Sequence, residues 1–299
     1  MKSIRLVIMA CIIFSGFVAA NFLHAEEVKS AEPKAQEVKA PEAPAPAVTG
    51  SASLGVYNQY IFRGYEIGQS GLVAQPSLTA SYKGFSATFW GNMDTNQRST
   101  RSADFSAESK AFKKGWNETD LTLSYTYAIN KLSLTGGYIY YGTKYADETE
   151  ELFATIAYDI ISKPSLSVYR DITNYKGTYI NLAFAHSLPV YKEITLDLGA
   201  SFGYYIGASD YWRTFDTSTG TYTGTMYKGL HDGMVKVGLT IPATKAFSIQ
   251  PSIQYWFPLS SNAGKEYETV PNMDIKDSYN PNGPVKNTLV YGVGFTYSF

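Results

Sequence analysis

Cysteine is all but missing from this 299-residue chain. Cys11 is the only one, which excludes disulfide scaffolding, thiolate catalysis and cysteine-based metal sites for everything after it. Histidine is nearly as scarce, with three in all. Charge is thin as well: 17% of residues are charged, against about a quarter in ordinary soluble domains. At a net charge of −1 nothing suggests nucleic acid as a partner. Beyond the N-terminal region no stretch reaches eighteen consecutive apolar residues, so no spanning helix is predicted. What is present is aromatic: 15% of the chain, with 25 Tyr, too many for disorder. Mean hydropathy is nevertheless −0.17. A chain too poor in charge for a soluble surface and too polar for a helical membrane protein suits a shell with one apolar and one polar face.

The N-terminus carries its own pattern. Lys2 and Arg5 precede the apolar run Leu6 to Phe14, and Ala19, Ala20 and Ala25 follow. This reads as a secretory signal peptide over residues 1–25, cut after Ala25 or alternatively after Ala20. A lipoprotein reading of Ile8-Met9-Ala10-Cys11 leaves almost no apolar core. Residues 26–50 are rich in Glu, Lys, Ala and Pro and cannot bury a core, so they are predicted to form a disordered periplasmic linker. A docking segment for a periplasmic partner or the cell wall is the alternative reading.

From Ser51 to Phe299 the dominant signal is period two. Leu289, Tyr291, Val293, Phe295, Tyr297 and Phe299 fall on one face, and Thr288, Val290, Gly292, Gly294, Thr296 and Ser298 on the other. The alternation predicts twelve strands, near 51–61, 72–83, 85–95, 116–128, 132–142, 149–160, 165–173, 177–187, 193–206, 230–241, 247–257 and 286–299. Connections after even strands are short, and the long segments 96–115, 207–229 and 258–285 all follow odd strands. Sorting of loop length by parity is the habit of an outer-membrane barrel, with long loops outside the cell, and a soluble sandwich has no reason for it. The predicted fold is a closed antiparallel transmembrane β-barrel in the outer membrane of a Gram-negative bacterium.

The outward stripes are free of Lys, Asp and Glu and hold one Arg, Arg170. A charge there at mid-bilayer would cost roughly 2–4 kcal/mol. Asn58 falls outward on strict alternation unless a bulge near Gln59 re-aims it. Tyr60, Phe62, Tyr82, Phe85, Tyr127, Tyr204, Phe257, Tyr297 and Phe299 sit at strand ends, as interfacial girdles require. Every short turn carries a lysine, namely Lys83, Lys131, Lys163, Lys192 and Lys245. Ordinary turn polarity accounts for them, or they form a basic ring for anionic phospholipid headgroups.

Twelve strands about 4.8 Å apart and tilted about 40° give a cylinder roughly 23 Å across, enough for small solutes only. Its inward charges are Arg63, Asp94, Asp120, Glu151, Asp159, Asp171, Asp197 and Lys236. A net negative lumen favours cations modestly, unless these charges pair and cancel. Inward aromatics are Tyr57, Trp90, Tyr141, Tyr169, Tyr179, Tyr205 and Trp256, which either narrow the bore or stack on solute rings. The loop 96–115 is basic through Arg98, Arg101, Lys110, Lys113 and Lys114, and is expected to meet lipopolysaccharide phosphates or to cover the mouth. The loop 258–285 carries Glu266, Glu268, Asp274 and Asp277, in a spacing that fits no calcium motif.

The run Tyr57-Asn58-Gln59-Tyr60-Ile61-Phe62-Arg63-Gly64, with Gln75-Pro76-Ser77 and Trp90-Gly91-Asn92, resembles the TorF-type porins, the Gcw_chp family of proteobacterial outer-membrane proteins. The likeness extends over the barrel and is sharpest in its first three strands. It implies an outer-membrane location and a channel role, and it marks Arg63, as a pore-mouth charge or as a structural group on strand-end carbonyls. The terminal Phe299 likewise resembles the aromatic assembly signal of bacterial barrels, which implies the barrel-assembly machinery as a partner. Outer-membrane lipids, lipopolysaccharide and small solutes complete the expected partners. No cofactor, metal or catalytic residue is expected: His186 and Ser187 point to opposite faces, and His231-Asp232 has no evident Ser partner. The function implied is passive diffusion of small hydrophilic solutes with a mild cation preference. A structural or adhesive barrel with a plugged lumen is the alternative.

Overall fold

The computed structural model describes residues 47–68, 71–97, 113–216, 219, 221–265 and 283–299. The signal peptide, most of the linker, the basic stretch 98–112 and the acidic residues Glu266, Glu268, Asp274 and Asp277 lie outside the described residues. The strands are β1 (Thr49–Tyr57), β2 (Ile61–Phe62), β3 (Tyr65–Glu66), β4 (Val73–Tyr82), β5 (Phe85–Gln97), β6 (Lys113–Ile129), β7 (Leu132–Thr143) and β8 (Thr149–Tyr158). They continue as β9 (Ser165–Asp171), β10 (Gly177–Tyr191), β11 (Ile194–Gly207), β12 (Arg213–Phe215), β13 (Tyr222–Met226), β14 (Lys228–Pro242), β15 (Phe247–Pro258) and β16 (Thr288–Ser298).

Twelve of these close into one antiparallel barrel in the order β1-β16-β15-β14-β11-β10-β9-β8-β7-β6-β5-β4, with β1 returning to β4. Closure joins the first and last strands, from Ser51 opposite Ser298 to Tyr57 opposite Gly292. The barrel sheet has no open edge, and every barrel strand has a ladder on both sides. The short pairs β2–β3 and β12–β13 form separate hairpins in two of the long connections.

Alternation decides what faces out. Leu78, Leu123, Leu152, Ile156, Leu230, Ile253 and Tyr291 are all about half exposed on the outer wall. An apolar belt running round the whole barrel far exceeds what a water-soluble surface tolerates, so hydrocarbon must cover it. Tyr82, Phe85, Tyr127, Tyr297 and Phe299 stand exposed at one rim, where an aromatic girdle belongs. The architecture is that of a bacterial outer-membrane β-barrel.

The lysines expected in the short turns all lie exposed on that same rim. Lys83, Lys163 and Lys192 take left-handed backbone, with φ of 49°, 36° and 49°. In the two-residue hairpins at Lys83 and Lys192 the right-handed strand twist demands such angles, while Lys163 lies in the longer connection between β8 and β9.

Several expectations are corrected. The first strand ends at Tyr57 rather than 61, because Asn58 turns away and caps the last strand. Its Nδ2 donates to the Leu289 carbonyl at 3.1 Å and its Oδ1 accepts from the Tyr291 amide at 2.8 Å. Neither a bulge nor an outward Asn is involved. Tyr60 and Phe62 are not girdle residues, since both are packed inside the barrel. Asp159 is not inward: it sits exposed in a short turn, where its amide donates to the Lys131 carbonyl at 2.7 Å. Residues 113–115, expected in a loop, belong to β6.

Candidate functional site: a hairpin folded into the outer bore

The connection between β1 and β4 does not stand above the barrel. It folds into the lumen. Its backbone is largely satisfied internally, with Ile67 and Gly68 amides donating to the Tyr60 carbonyl at 3.0 and 3.1 Å and the Gly71 amide to the Asn58 carbonyl at 2.8 Å. A loop that meets its own hydrogen bonds can enter a partly apolar interior without orphaned polar groups. Tyr60, Tyr65 and Ile67 are thereby buried against Tyr179, Tyr205, Trp212 and Tyr227 of the wall and of a second loop.

The turn between β2 and β3 is Arg63-Gly64, with φ of 48° and 79°. Two successive positive φ values make a tight hairpin turn, for which a glycine in the second place is favoured. Space demands glycine too, because a Cβ on Gly64 would lie 2.6 Å from the Asp232 Cβ.

This turn delivers the Arg63 guanidinium to β8. Nη1 and Nη2 each donate to one Glu151 carboxylate oxygen at 2.7 Å, and the two side chains are only 9% and 6% exposed. The rings of Phe62, Tyr169 and Tyr179 lie 4.7, 4.7 and 4.6 Å from the guanidinium carbon. Tyr141 donates to Glu151 Oε2 at 2.9 Å. A planar cation held bidentately and faced by aromatic rings is the arrangement in which a guanidinium gains most. Burial works most strongly against the charge of Arg63, but the Glu151 carboxylate together with the Tyr205 and Tyr141 hydroxyls outweighs it and holds the pKa well above the ordinary arginine value.

β14 secures the back of the turn. His231 Nε2 lies 3.1 Å from the Arg63 carbonyl, which can only accept, so Nε2 is the protonated nitrogen. Nδ1 then accepts from the Tyr227 hydroxyl at 2.7 Å. Tyr179 donates to Asp232 at 3.0 Å. From the second loop, Trp212 covers the cluster, 4.4 Å from the Tyr205 ring centroid, with its indole N–H donating to the Tyr175 carbonyl at 2.9 Å. Just outside the Arg63–Glu151 pair lies a cavity of about 110 Å³, whose lining includes Glu118, Tyr145, Asp171, Tyr175 and Trp212. Tyr145 donates to Glu118 at 2.6 Å, and burial together with that carboxylate raises the Tyr145 pKa, which keeps it the donor.

The sequence-predicted lumen residues divide between two zones. Asp94, Asp120, Glu151 and Asp171 are buried in the outer half together with Arg63. Trp90 packs on Tyr60 at 5.6 Å, and Trp256 packs with Met234 and Val290. Asp197 and Lys236 belong to the inner half, where Asp197 accepts from Ser187, Thr195 and Thr240 at 2.7, 3.1 and 2.6 Å. His186, on the opposite face from Ser187, has Nδ1 2.7 Å from the Ile161 carbonyl. Arg63 is neither a wall residue nor a partner of strand-end carbonyls: its guanidinium goes to Glu151 and, at 3.4 Å, to the Tyr205 hydroxyl. Pairing of charges across the bore, one of two readings of the lumen, thus holds for Arg63 and Glu151.

The sequence reading left out Glu118 and Asp232, although they share the parity of Asp120 and Lys236, and alternation itself missed Asn117 and His231. Asn117 and Glu118 are both buried, as are His231 and Asp232, though neighbours in a regular strand face opposite ways. The register explains it. Asn92 opposes Glu118 while Met93 opposes Trp116, and the β11–β14 register shifts between Phe202 and Tyr204. Each bulge turns an extra polar residue inward.

The two halves differ in packing. In the inner half, inward hydroxyls pair across strands, as Ser81 with Ser86 at 2.7 Å and Thr126 with Thr135 at 2.9 Å. Ser81, Ser86, Thr88, Thr122, Ser124, Thr126, Ser133 and Thr135 all keep partial exposure although they point inward. Exposure on the inner wall of a closed barrel means space that water can fill.

No protein-family model matches the chain, and no curated protein matches it. Among solved structures it is similar to the KdgM porin (13% identity, TM-score 0.48, covering 83% of this chain and 99% of that one). It is also similar to the NanC porin (8%, 0.47, 84% and 100%) and to an outer-membrane channel from Pseudomonas putida F1 (10%, 0.45, 89% and 100%). Likenesses this distant add nothing to the barrel already read from the strand pairing.

Proposed function

We propose that the chain forms a channel for passive diffusion of small hydrophilic solutes across the outer membrane, with a mild cation preference. The observation that carries this reading is the partly exposed hydroxyl lining of the inner half. A barrel built only as a scaffold has no need of a wet bore. Asp94, Glu118, Asp120, Asp171 and Asp232 surround the outer constriction, and such carboxyl groups, where ionised, favour cations over anions. In this reading the hairpin carrying Arg63 sets the narrowest point, so conductance is small.

The resemblance to TorF-type porins, the signal peptide and linker, and recognition of the last strand by the assembly machinery belong to the same proposal. Planar-bilayer recording of the purified protein tests it. Stepwise openings that scale with salt, with a reversal potential displaced toward the cation, are expected. Liposome swelling with sugars, amino acids and nucleosides then identifies the solutes. A folded barrel that stays electrically silent would overturn the channel in favour of a plugged barrel with working surface loops, which the packed outer half favours.

A further inference from the structure

We propose that the box around Arg63 is a receptor for guanidino solutes, occupied at rest by the chain's own arginine, and that such a solute arriving from outside displaces Arg63 and loosens the hairpin. This rests on the reading of the hairpin as the constriction of a channel. The box has what guanidinium recognition needs, a carboxylate presenting both oxygens at 2.7 Å and rings 4.6–4.7 Å from the carbon. An ammonium group would use one carboxylate oxygen at a time and stack on no ring as a plane, so the box prefers guanidinium.

Access comes from the outer side. Glu151, Phe62 and Tyr179 border the cavity that also holds Glu118 and Asp171, so the occupied box opens directly onto a chamber lined by carboxyl groups. Within the chamber, Asp171 accepts from Thr149 at 2.6 Å and Glu118 from Tyr145 at 2.6 Å, which fixes both carboxylates in place. Nearby, Asp120 Oδ1 is buried and has no hydrogen-bond partner among the described residues. The outer bore therefore holds more carboxyl groups than Arg63 pairs with. Arg63 itself hangs on a two-residue turn, held from behind by the His231 contact to its carbonyl and by packing. An entering guanidinium that takes Glu151 releases the one ionic tie between hairpin and wall that the structure shows among the described residues.

The test uses the full-length protein in planar bilayers, with methylguanidinium added on the loop side and methylammonium at equal ionic strength as control. Methylguanidinium at about 10 mM, roughly ten times a millimolar Kd, multiplies the undocked population about ten-fold, so it should raise the fraction of time that wild type spends in its larger openings at least about two-fold, and methylammonium should not. In Arg63→Ala, whose box is vacant and whose hairpin is untied, basal current should exceed wild type. There methylguanidinium should lower it at least about two-fold by lodging in the bore. If Arg63→Ala does not insert, Arg63→Lys replaces it, since it keeps the charge but loses the fork. Should the variant conduct more than wild type while methylguanidinium acts no differently from methylammonium in either protein, the receptor is overturned and the channel stands. A variant that conducts no more than wild type refutes the hairpin as constriction, and the receptor falls with it.

Discussion

Replacing Glu151 by Gln keeps the shape of the side chain and removes its charge. Among the described residues Arg63 has no other carboxylate in hydrogen-bond contact, and at 9% exposure the guanidinium cannot recover its hydration without moving. Removing one partner of a buried pair costs about 3–5 kcal/mol, because the other charge stays buried and uncompensated. Solvent screening discounts little of this, since Glu151 is only 6% exposed. What still holds the hairpin is the His231 contact, a net of about 1 kcal/mol, together with the rings and the burial of Tyr65 and Ile67. The docked state should therefore lose a factor of about 10² to 10⁴ in its population ratio. Ile67→Cys in a Cys11→Ser background reports this directly, because Ile67 is 5% exposed and a membrane-impermeant maleimide reaches it only when the hairpin leaves the bore. Glu151→Gln should accelerate labelling by at least about 100-fold, with the barrel still folded by circular dichroism. An unchanged labelling rate in a folded barrel would refute the claim that this ion pair holds the hairpin.

Gly64→Ala should act at the same place through the backbone. The left-handed turn position costs a residue with a Cβ about 1–2 kcal/mol, and the new methyl overlaps Asp232, so Ile67→Cys labelling should rise while strand content stays fixed. Leu123→Arg places a charge near the middle of β6 on the lipid side and should destabilise the barrel by about 2–4 kcal/mol in urea unfolding from vesicles. Thr122→Arg, pointing into the lumen, should cost less than half of that, and equal losses would contradict the assigned faces. Converting Lys83, Lys131, Lys163, Lys192 and Lys245 together to Gln should slow insertion into vesicles containing anionic phospholipid. Each exposed lysine is worth about 1 kcal/mol against such a surface, and unaltered insertion would leave them as ordinary turn residues.

The barrel was legible because its two solvents impose a period. Hydrocarbon outside and water inside force the choice of side chain at every second residue, so strands such as β16 announce both their faces and their length. The turns were legible for a related reason: Lys83-Gly84 and its counterparts must be short and polar to close a hairpin with the right twist. The strand ends were less so. Tyr60 and Phe62 look like girdle residues by position, and only the departure of the chain at Asn58, toward the last strand rather than the second, sends them inside. That contact spans the closure of the barrel, and no local pattern encodes it.

The site itself is made of departures from the period that revealed the fold. Arg63 reaches Glu151 across 88 positions of sequence from a loop, so its partner follows from neither spacing nor alternation. His231 and Asp232 enter the lumen together through a bulge, and strict alternation would push one of them into lipid. A Phe-Arg-Gly-Tyr run did carry one local signal, since a glycine after a residue able to adopt positive φ, between aromatics, is the grammar of a tight hairpin. Read that way, 62–65 becomes a turn instead of a strand end, and a hairpin too apolar to stand in water has only the bore to enter. Wherever an alternating barrel sequence places a two-residue turn between aromatics just past a strand end, the same argument predicts a loop folded inward.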